Sequence, residues 1–173
     1  FLLCAIIPWN FFAVVNNVGL TSVTDNSALV RRVAFPREIL VFSNVVFALV
    51  QFGIELVVLC SILLVVAGAP ILPYLPLVAL LGIVLAIFSS GIALALSCFA
   101  VYFRDLKYLW TNALQLWFFI TPVVYPPSLA EAQLPNWAQT VLQINPMVHF
   151  VGAFRDLLYH AQIPDIQRIG IIV

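Results

Sequence analysis

Residues Thr24-Asp-Asn-Ser-Ala-Leu-Val-Arg-Arg-Val-Ala-Phe-Pro-Arg-Glu38 separate two long apolar runs and decide how the chain folds. This polar segment, residues 24–38, holds three of the seven basic residues of a chain that is 64% hydrophobic and 8% charged. An arginine at the centre of a membrane-spanning helix costs about 2.5–3.5 kcal/mol on insertion scales. We therefore expect segment 24–38 to lie in water beside a membrane, with the apolar runs on either side inside it.

The composition predicts an all-α, polytopic transmembrane helical bundle. Mean hydropathy is +1.14 and aromatic residues make up 13% of the chain, which is far from the composition of a soluble globular protein. Apolar runs of about 20 residues, the length that crosses about 30 Å of hydrocarbon, recur along the chain. They lack the period-two alternation of barrel strands. We expect residues 1–173 to form a single domain.

Five spans are predicted, at 1–19, 40–67, 75–101, 108–125 and from Ile166 onward, the first and last being truncated. The connection 20–39 contains the polar segment, and a long stretch, 122–164, precedes the last span. Two parts of that stretch, 137–144 and 146–159, are apolar but too short to cross a membrane. We predict that they form a pair of re-entrant helices, separated by Asn145-Pro146.

Basic residues orient the bundle. If successive spans alternate in direction, five basic residues share one side of the membrane: Arg31, Arg32, Arg37, Arg104 and Lys107. Only Arg155 and Arg168 lie on the other side. Because basic residues are in excess in cytoplasmic loops, 20–39 and the Arg104 connection are predicted to be cytoplasmic and 122–164 extracytoplasmic.

Small residues in the third span predict close helix packing. They lie three or four residues apart, at Gly82, Ala86, Ser90, Ala93, Ser97 and Ala100, and Gly91 and Ala95 widen the stripe. Small side chains allow two helices to approach closely within a membrane. Cys4, Cys60 and Cys98 have unrelated spacings and are interpreted as small packed residues rather than as a disulfide or metal site.

Glu55 is the one acidic residue deep within a span, and Gln51 lies one turn before it. An acid in this position indicates either a functional site or a structural hydrogen bond to another helix or subunit, with Ser61 and Ser90 as candidate partners. Both interpretations stay open, since a lone acid is weak evidence for proton transport.

The fourth span is rich in aromatic residues, which could line a path for a glycan because rings stack on apolar sugar faces. Gln115, Trp117, Phe118 and Tyr125 are candidates. For Trp117 and Phe118, packing against other helices is the favoured alternative. Trp110 and Tyr125 are placed where interfacial aromatic belts are expected.

No enzymatic chemistry is predicted. Lys107 is the only lysine and follows no glycine-rich loop, so the sequence has no phosphate-binding P-loop. His149 and His160 lack metal-site spacing, and we predict neither a metal nor a catalytic residue. In segment 24–38, Asp25 or Asn26 could cap a short amphipathic helix whose apolar residues, Leu29 among them, dock on a cytosolic partner.

Several motifs together resemble a known family. They are Leu29-Val-Arg-Arg-Val-Ala-Phe-Pro-Arg-Glu38, Val101-Tyr-Phe-Arg-Asp105, Thr121-Pro-Val-Val-Tyr125, Asn145-Pro-Met147 with Phe154-Arg155, and Pro8-Trp9. The chain is similar to the permease subunit of type 2 ABC transporters, in particular the bacterial exporters of O-antigen, capsule and teichoic acid.

This resemblance implies that the five spans are the second to sixth of six, in a multi-pass protein of the bacterial cytoplasmic (inner) membrane. Its expected partners are a second permease copy, a cytosolic ABC ATPase that binds the ATP and Mg²⁺, membrane lipid and a lipid-linked polysaccharide. The chain itself would bind no cofactor and no nucleic acid. The alternatives are a type 2 exporter of a drug or lipid, and a proton-coupled secondary transporter that uses Glu55.

The resemblance also assigns roles to residues. Coupling to the ATPase is expected at Asp25, Asn26, Leu29, Arg31, Arg32, Phe35, Pro36, Arg37, Glu38, Arg104 and Asp105. From the side-chain chemistry described above, and not from the resemblance, the substrate path is expected at Gln51, Glu55, Gln115, Trp117, Phe118 and Tyr125. An outer gate is expected at Pro122, Asn145, Pro146 and Arg155.

Overall fold

The computed structural model of the protein describes residues 1–25, 38–67, 73–103, 105–123, 136–159 and 162. These residues form six α-helices and no strand. The helices are α1 (Leu2–Asp25), α2 (Glu38–Ala67), α3 (Leu75–Tyr102), α4 (Leu106–Ile120), α5 (Asn136–Ile144) and α6 (Pro146–Leu158). The predicted all-α bundle is confirmed.

Three helices among the described residues are long and apolar enough to cross a membrane, over Leu2–Ser22, Ile39–Val65 and Leu75–Tyr102. They are α1, α2 and α3, which match the first three predicted spans. The predicted end of the first span was wrong, since α1 continues to Asp25. The hydroxyls of Thr21 and Ser22 donate to the carbonyls of Val18 and Gly19, so these polar residues are accommodated in the helix.

The predicted bounds of the fourth span were also wrong. Helix α4 has 15 residues, a length of about 22 Å at 1.5 Å per residue, and is not among the three candidate spans. It ends because Thr121 precedes Pro122 and adopts extended dihedrals, φ −77° and ψ 129°. Proline disfavours the helical conformation of the residue before it. The predicted fifth span lies outside the described residues.

Helix α1 occupies the centre of the bundle, where it packs most extensively against α3 and then against α2, α6 and α4. Its contact with α3 is closest at Gly19, where an added Cβ would lie 2.7 Å from the Cβ of Ala93. The predicted small-residue stripe of α3 is therefore largely confirmed, with Gly82, Ala86, Ala93, Ser97 and Ala100 buried. The prediction was wrong for Gly91 and Ala95, which are exposed, and it missed the buried Ser89 beside the partly exposed Ser90.

Two cysteines pack as predicted, since Cys4 and Cys60 are buried. The prediction was wrong for Cys98, which is exposed on α3.

The two short helices predicted before the last span are confirmed as α5 and α6. Helix α6 lies within the core and contacts α1 and α3. The Phe150 ring lies 5.6 Å from that of Phe88, and the Phe154 ring 6.0 Å from that of Phe52. Both partners lie near the middle of candidate spans. Re-entry of α5 and α6 into the membrane stays a prediction.

Candidate functional site

Most of the expected ATPase-coupling residues lie outside the described residues. These are Asn26, Leu29, Arg31, Arg32, Phe35, Pro36, Arg37 and Arg104. Asp25 is the last residue of α1, and its role as a cap of a following helix stays a prediction, because residues 26–37 lie outside the described part of the chain. Glu38 is the first residue of α2. The structure therefore leaves the coupling role of segment 24–38 as a prediction.

The connection between α3 and α4 is the described part of the predicted cytoplasmic surface. It is tight: the amide of Leu106 donates to the carbonyl of Phe103 at 3.2 Å, and that of Tyr108 to the carbonyl of Asp105 at 3.1 Å. Tyr102 is 83% exposed and Phe103 64% exposed, next to the exposed Asp105. Exposed aromatic rings beside a charged residue at the end of a bundle form a surface suited to protein contact.

Glu55 and Gln51 lie together on α2. The Nε2 of Gln51 donates a hydrogen bond of 3.1 Å to Oε1 of Glu55. Both residues line a shallow hollow between α1 and α2, where Asn10 of α1 joins them. The predicted partners, Ser61 and Ser90, are not the partners of Glu55, because their hydroxyls donate to carbonyls of their own helices.

The aromatic residues of α4 divide between the core and the surface. Trp117 packs edge-on against Phe12 and Trp9, at ring distances of 5.3 and 6.5 Å, and Phe118 lies 5.5 Å from Trp9. Trp117 and Phe118 therefore pack against other helices, which is the role that the sequence analysis favoured for them over lining a glycan path. Gln115, by contrast, is exposed on α4. Tyr125 lies outside the described residues, and the substrate path stays a prediction.

Asn145 joins α4 to α6. Its Oδ1 accepts hydrogen bonds from the backbone amide of Met147 and from Nε1 of Trp117, both at 3.0 Å, and its Nδ2 donates to Oγ1 of Thr121 at 3.1 Å. Both donors to Oδ1 fix the orientation of the amide group. Asn145 caps α6, and Pro146 occupies the first turn, where a proline amide is not needed.

Arg155 forms the second attachment of α6. Its side chain is only 3% exposed, and Nη2 donates a hydrogen bond of 2.6 Å to the carbonyl of Val123. The guanidinium also lies 4.2 Å from the centre of the Phe1 ring, a cation–π distance. Among the residues that the structure describes, its Nε and Nη1 have no hydrogen-bond partner. Burial lowers the pKa of this guanidinium.

Two of the expected outer-gate residues therefore form hydrogen bonds with the end of α4 and the residues that follow it. Asn145 and Arg155, at the two ends of α6, both bind the segment 117–123, which includes the buried Pro122. The sequence analysis missed Thr121 and Val123 as their partners, and it missed Asn10 beside Glu55. A backbone carbonyl has no sequence signal, but an asparagine within an apolar run is a signal that could have identified Asn10.

Among the described residues, no group of three or more His, Cys, Asp or Glu could hold a metal ion. The arrangement offers polar and aromatic surfaces on a scaffold of membrane-spanning helices.

The fold and these surfaces define a multi-pass helical membrane protein. The profile of ABC-2 type transporters matches residues 1–159, and the chain belongs to this family. It is 29% identical over 167 residues to the O-antigen export system permease protein RfbA of Myxococcus xanthus, a match that covers 95% of this chain and 62% of that protein. It is 27% identical over 157 residues to the protein of the same name from Klebsiella pneumoniae, covering 91% of this chain and 59% of that protein. The chain thus spans about three fifths of the length of these curated relatives.

Proposed function

We propose that the chain is part of the permease subunit of an ATP-driven ABC exporter, which moves a lipid-linked polysaccharide across the bacterial cytoplasmic membrane. The observation that carries this proposal is the similarity, over 95% of the chain, to a protein named as an O-antigen export permease. The family membership supports a transport role, with ATP hydrolysed on a separate ATPase subunit.

The exposed face of α4 supports the polysaccharide path. Thr111, Asn112, Gln115 and Phe119 are exposed and follow helical spacing, whereas Leu114 is the one fully buried residue of this helix. Amide and hydroxyl groups can hydrogen-bond sugar hydroxyls, and an aromatic ring can stack on a sugar face. We propose that this face lines a path between two permease copies, as the resemblance to a dimeric family suggests.

The α3–α4 connection supports the contact with the ATPase. Tyr102, Phe103 and Tyr108 are exposed there together with Asp105 and Lys107. We propose that this surface acts with segment 24–38, so that closure of the ATPase pair shifts the permease between two conformations.

The decisive experiment is transport by the full-length protein with its ATPase in proteoliposomes, measured as ATP-dependent exposure of a lipid-linked glycan to a membrane-impermeant lectin. Gln115→Leu and Asn112→Leu should reduce the rate without changing the thermal midpoint. Leu116→Met, on the same exposed helix, is the matched control and should transport normally, because it keeps the apolar character of its position.

Three results would contradict the proposal. Glycan movement without ATP hydrolysis, abolished by Glu55→Gln, would favour a proton-coupled transporter. Transport of a drug or free lipid with no glycan movement would favour a small-molecule exporter. Unchanged transport in both leucine variants would remove the face of α4 from the path.

A further inference from the structure

Three buried polar atoms, each on a different helix, have no hydrogen-bond partner in the described part of the chain. They are Oδ1 of Asn16 on α1, Oγ of Ser89 on α3 and Nε1 of Trp110 on α4. The side chains of Asn16 and Ser89 are both 0% exposed. Nδ2 of Asn16 donates to the carbonyl of Phe12 at 2.8 Å, so its oxygen alone is unpaired. Most buried polar groups in folded proteins have a partner, and an unpaired one inside a membrane is especially unfavourable.

Asn16 and Ser89 lie at the same level of the bundle. Two contacts show that α1 and α3 run in the same direction: the rings of Phe12 and Phe88 lie 6.1 Å apart, and Gly19 meets Ala93. Asn16 lies between these two contacts on α1, and Ser89 lies between them on α3. Ser89 is also four residues before Ala93, so it is on the face of α3 that packs against α1. The two unpaired oxygens are thus within about one helical turn of each other along the bundle.

Trp110 borders the same region. It packs against a buried cluster to which Leu20 of α1 and Leu96 of α3 belong. Leu20 is four residues after Asn16, and Leu96 is seven residues after Ser89, so each leucine shares a helix face with one of the unpaired oxygens. Helix α4 contacts both α1 and α3. The three unpaired atoms therefore belong to one region, where the three helices meet, and they span about one to two turns of helix along it.

The hydrogen-bonding capacity of these atoms selects their ligand. The nitrogen of an indole can only donate a hydrogen bond, an amide oxygen can only accept one, and a hydroxyl can do either. A ligand between them must therefore accept from Trp110 and donate to Asn16. A bare cation offers no acceptor to the indole, and a bare anion offers no donor to the amide oxygen. Water offers both, and a buried water typically makes about three hydrogen bonds to polar groups that would otherwise be unpaired.

We propose that one or two internal water molecules bind where α1, α3 and α4 meet, accepting a hydrogen bond from Nε1 of Trp110 and donating one to Oδ1 of Asn16, with Oγ of Ser89 as the third partner. At about 2.8 Å per hydrogen bond, two waters in sequence connect groups about 8 Å apart, which matches one to two turns of helix. The water links α4 to two membrane-spanning helices by hydrogen bonds. The proposal rests on the packing of the described residues and is independent of the transported substrate.

The test uses the full-length protein in lipid nanodiscs, with ¹⁵N in the indole nitrogen of tryptophan. The variants Trp110→Phe and Trp117→Phe identify the two indole resonances in the NMR spectrum. The measurement is the magnetic cross-relaxation between each indole proton and water, repeated with a soluble gadolinium chelate that broadens protons in contact with bulk solvent. Trp117 is the matched control on the same helix, because its Nε1 donates directly to Asn145.

We expect a water cross-peak at the indole proton of Trp110 that the chelate leaves unbroadened, and no such cross-peak at Trp117. Asn16→Leu should remove the cross-peak, because it replaces the acceptor with an apolar group of similar size, and Ser89→Ala should weaken it. An unshifted Trp117 resonance shows that each variant keeps its fold. Having two variants on two helices keeps the test valid if one of them misfolds.

The absence of a water cross-peak at Trp110 in the unmodified protein would overturn the proposal, as would an equal cross-peak at Trp117. Broadening of the Trp110 resonance by the chelate would overturn it too, since the water would then belong to bulk solvent. A cross-peak that neither Asn16→Leu nor Ser89→Ala changes would show that the water is held by other groups, and the proposed site would be wrong.

Discussion

Nε1 of Trp117 on α4 donates a hydrogen bond of 3.0 Å to Oδ1 of Asn145, the residue that caps α6. The side-chain oxygen of Asn145 thus links the end of α4 to the start of α6. The other end of α6 is attached to the same segment through Arg155 and the carbonyl of Val123. Two attachments to segment 117–123 fix α6 relative to the end of α4, so movement of one should carry the other.

Replacing Asn145 should destabilise the protein strongly. Asn145→Ala removes the cap of α6, worth about 1 kcal/mol, and leaves the Nε1 group of Trp117 without its acceptor, at about 1–3 kcal/mol. We expect a loss of about 2–4 kcal/mol, measured as a lower thermal midpoint in detergent micelles. Thr121→Val, which leaves Nδ2 without its acceptor but keeps the cap and the Trp117 contact, is the control and should cost about 1 kcal/mol less than Asn145→Ala. Equal losses in both variants would show that the Trp117 contact is unimportant.

Gly19 should tolerate no side chain. In Gly19→Ala the new Cβ would lie 2.7 Å from the Cβ of Ala93, so α1 and α3 must separate, at a cost of about 1–3 kcal/mol. Gly53→Ala makes the same chemical change where nothing lies within 4 Å and should be neutral or stabilising. The measurement is the thermal midpoint of each variant. The added replacement Ala93→Gly should restore part of the loss, and no restoration would argue against this helix contact.

Arg155 should tolerate methionine better than lysine. Arg155→Met removes a buried charge and keeps much of the side-chain volume, whereas Arg155→Lys keeps the charge but loses the planar donor group that reaches Val123. We expect the lysine variant to be less stable than the methionine variant by about 1 kcal/mol or more, by thermal denaturation. The reverse order would indicate that an acceptor outside the described residues pairs with the guanidinium.

The α3–α4 connection should contribute to ATPase binding. Tyr102→Ala and Phe103→Ala remove exposed rings from the proposed contact surface, and each should weaken binding by about 1–2 kcal/mol, roughly tenfold in Kd. Binding is measured by titrating purified ATPase onto immobilised full-length permease. Phe99→Ala, one turn earlier on α3 and also exposed, is the control and should bind normally. Loss of binding in the Phe99 variant alone would place the contact elsewhere.

Local signals in the sequence identified much of the fold. Long apolar runs predicted α1, α2 and α3, and Asn145-Pro146 predicted the boundary between α5 and α6. Helix ends were less predictable. Thr21 and Ser22 look like loop residues, but their hydroxyls donate to the helix backbone, so α1 continues to Asp25. Helix α4 ends earlier than its hydropathy suggested, because Thr121 precedes Pro122 and adopts an extended conformation.

The sequence by itself determined that this protein is a helical membrane protein, because hydrocarbon requires each backbone segment to satisfy its own hydrogen bonds. It predicts that the charged segment 24–38 lies outside the bilayer, because hydrocarbon excludes charge. Only the tertiary structure decided which polar residues are paired. Asn145 binds Trp117 and Thr121, which are distant in sequence, whereas Gln51 binds Glu55 on its own helix, in a hollow that Asn10 also lines. The reason is that a membrane span can be identified from the hydropathy of its own residues. The pairing of polar side chains depends instead on which helices pack against each other and on which of their faces are in contact.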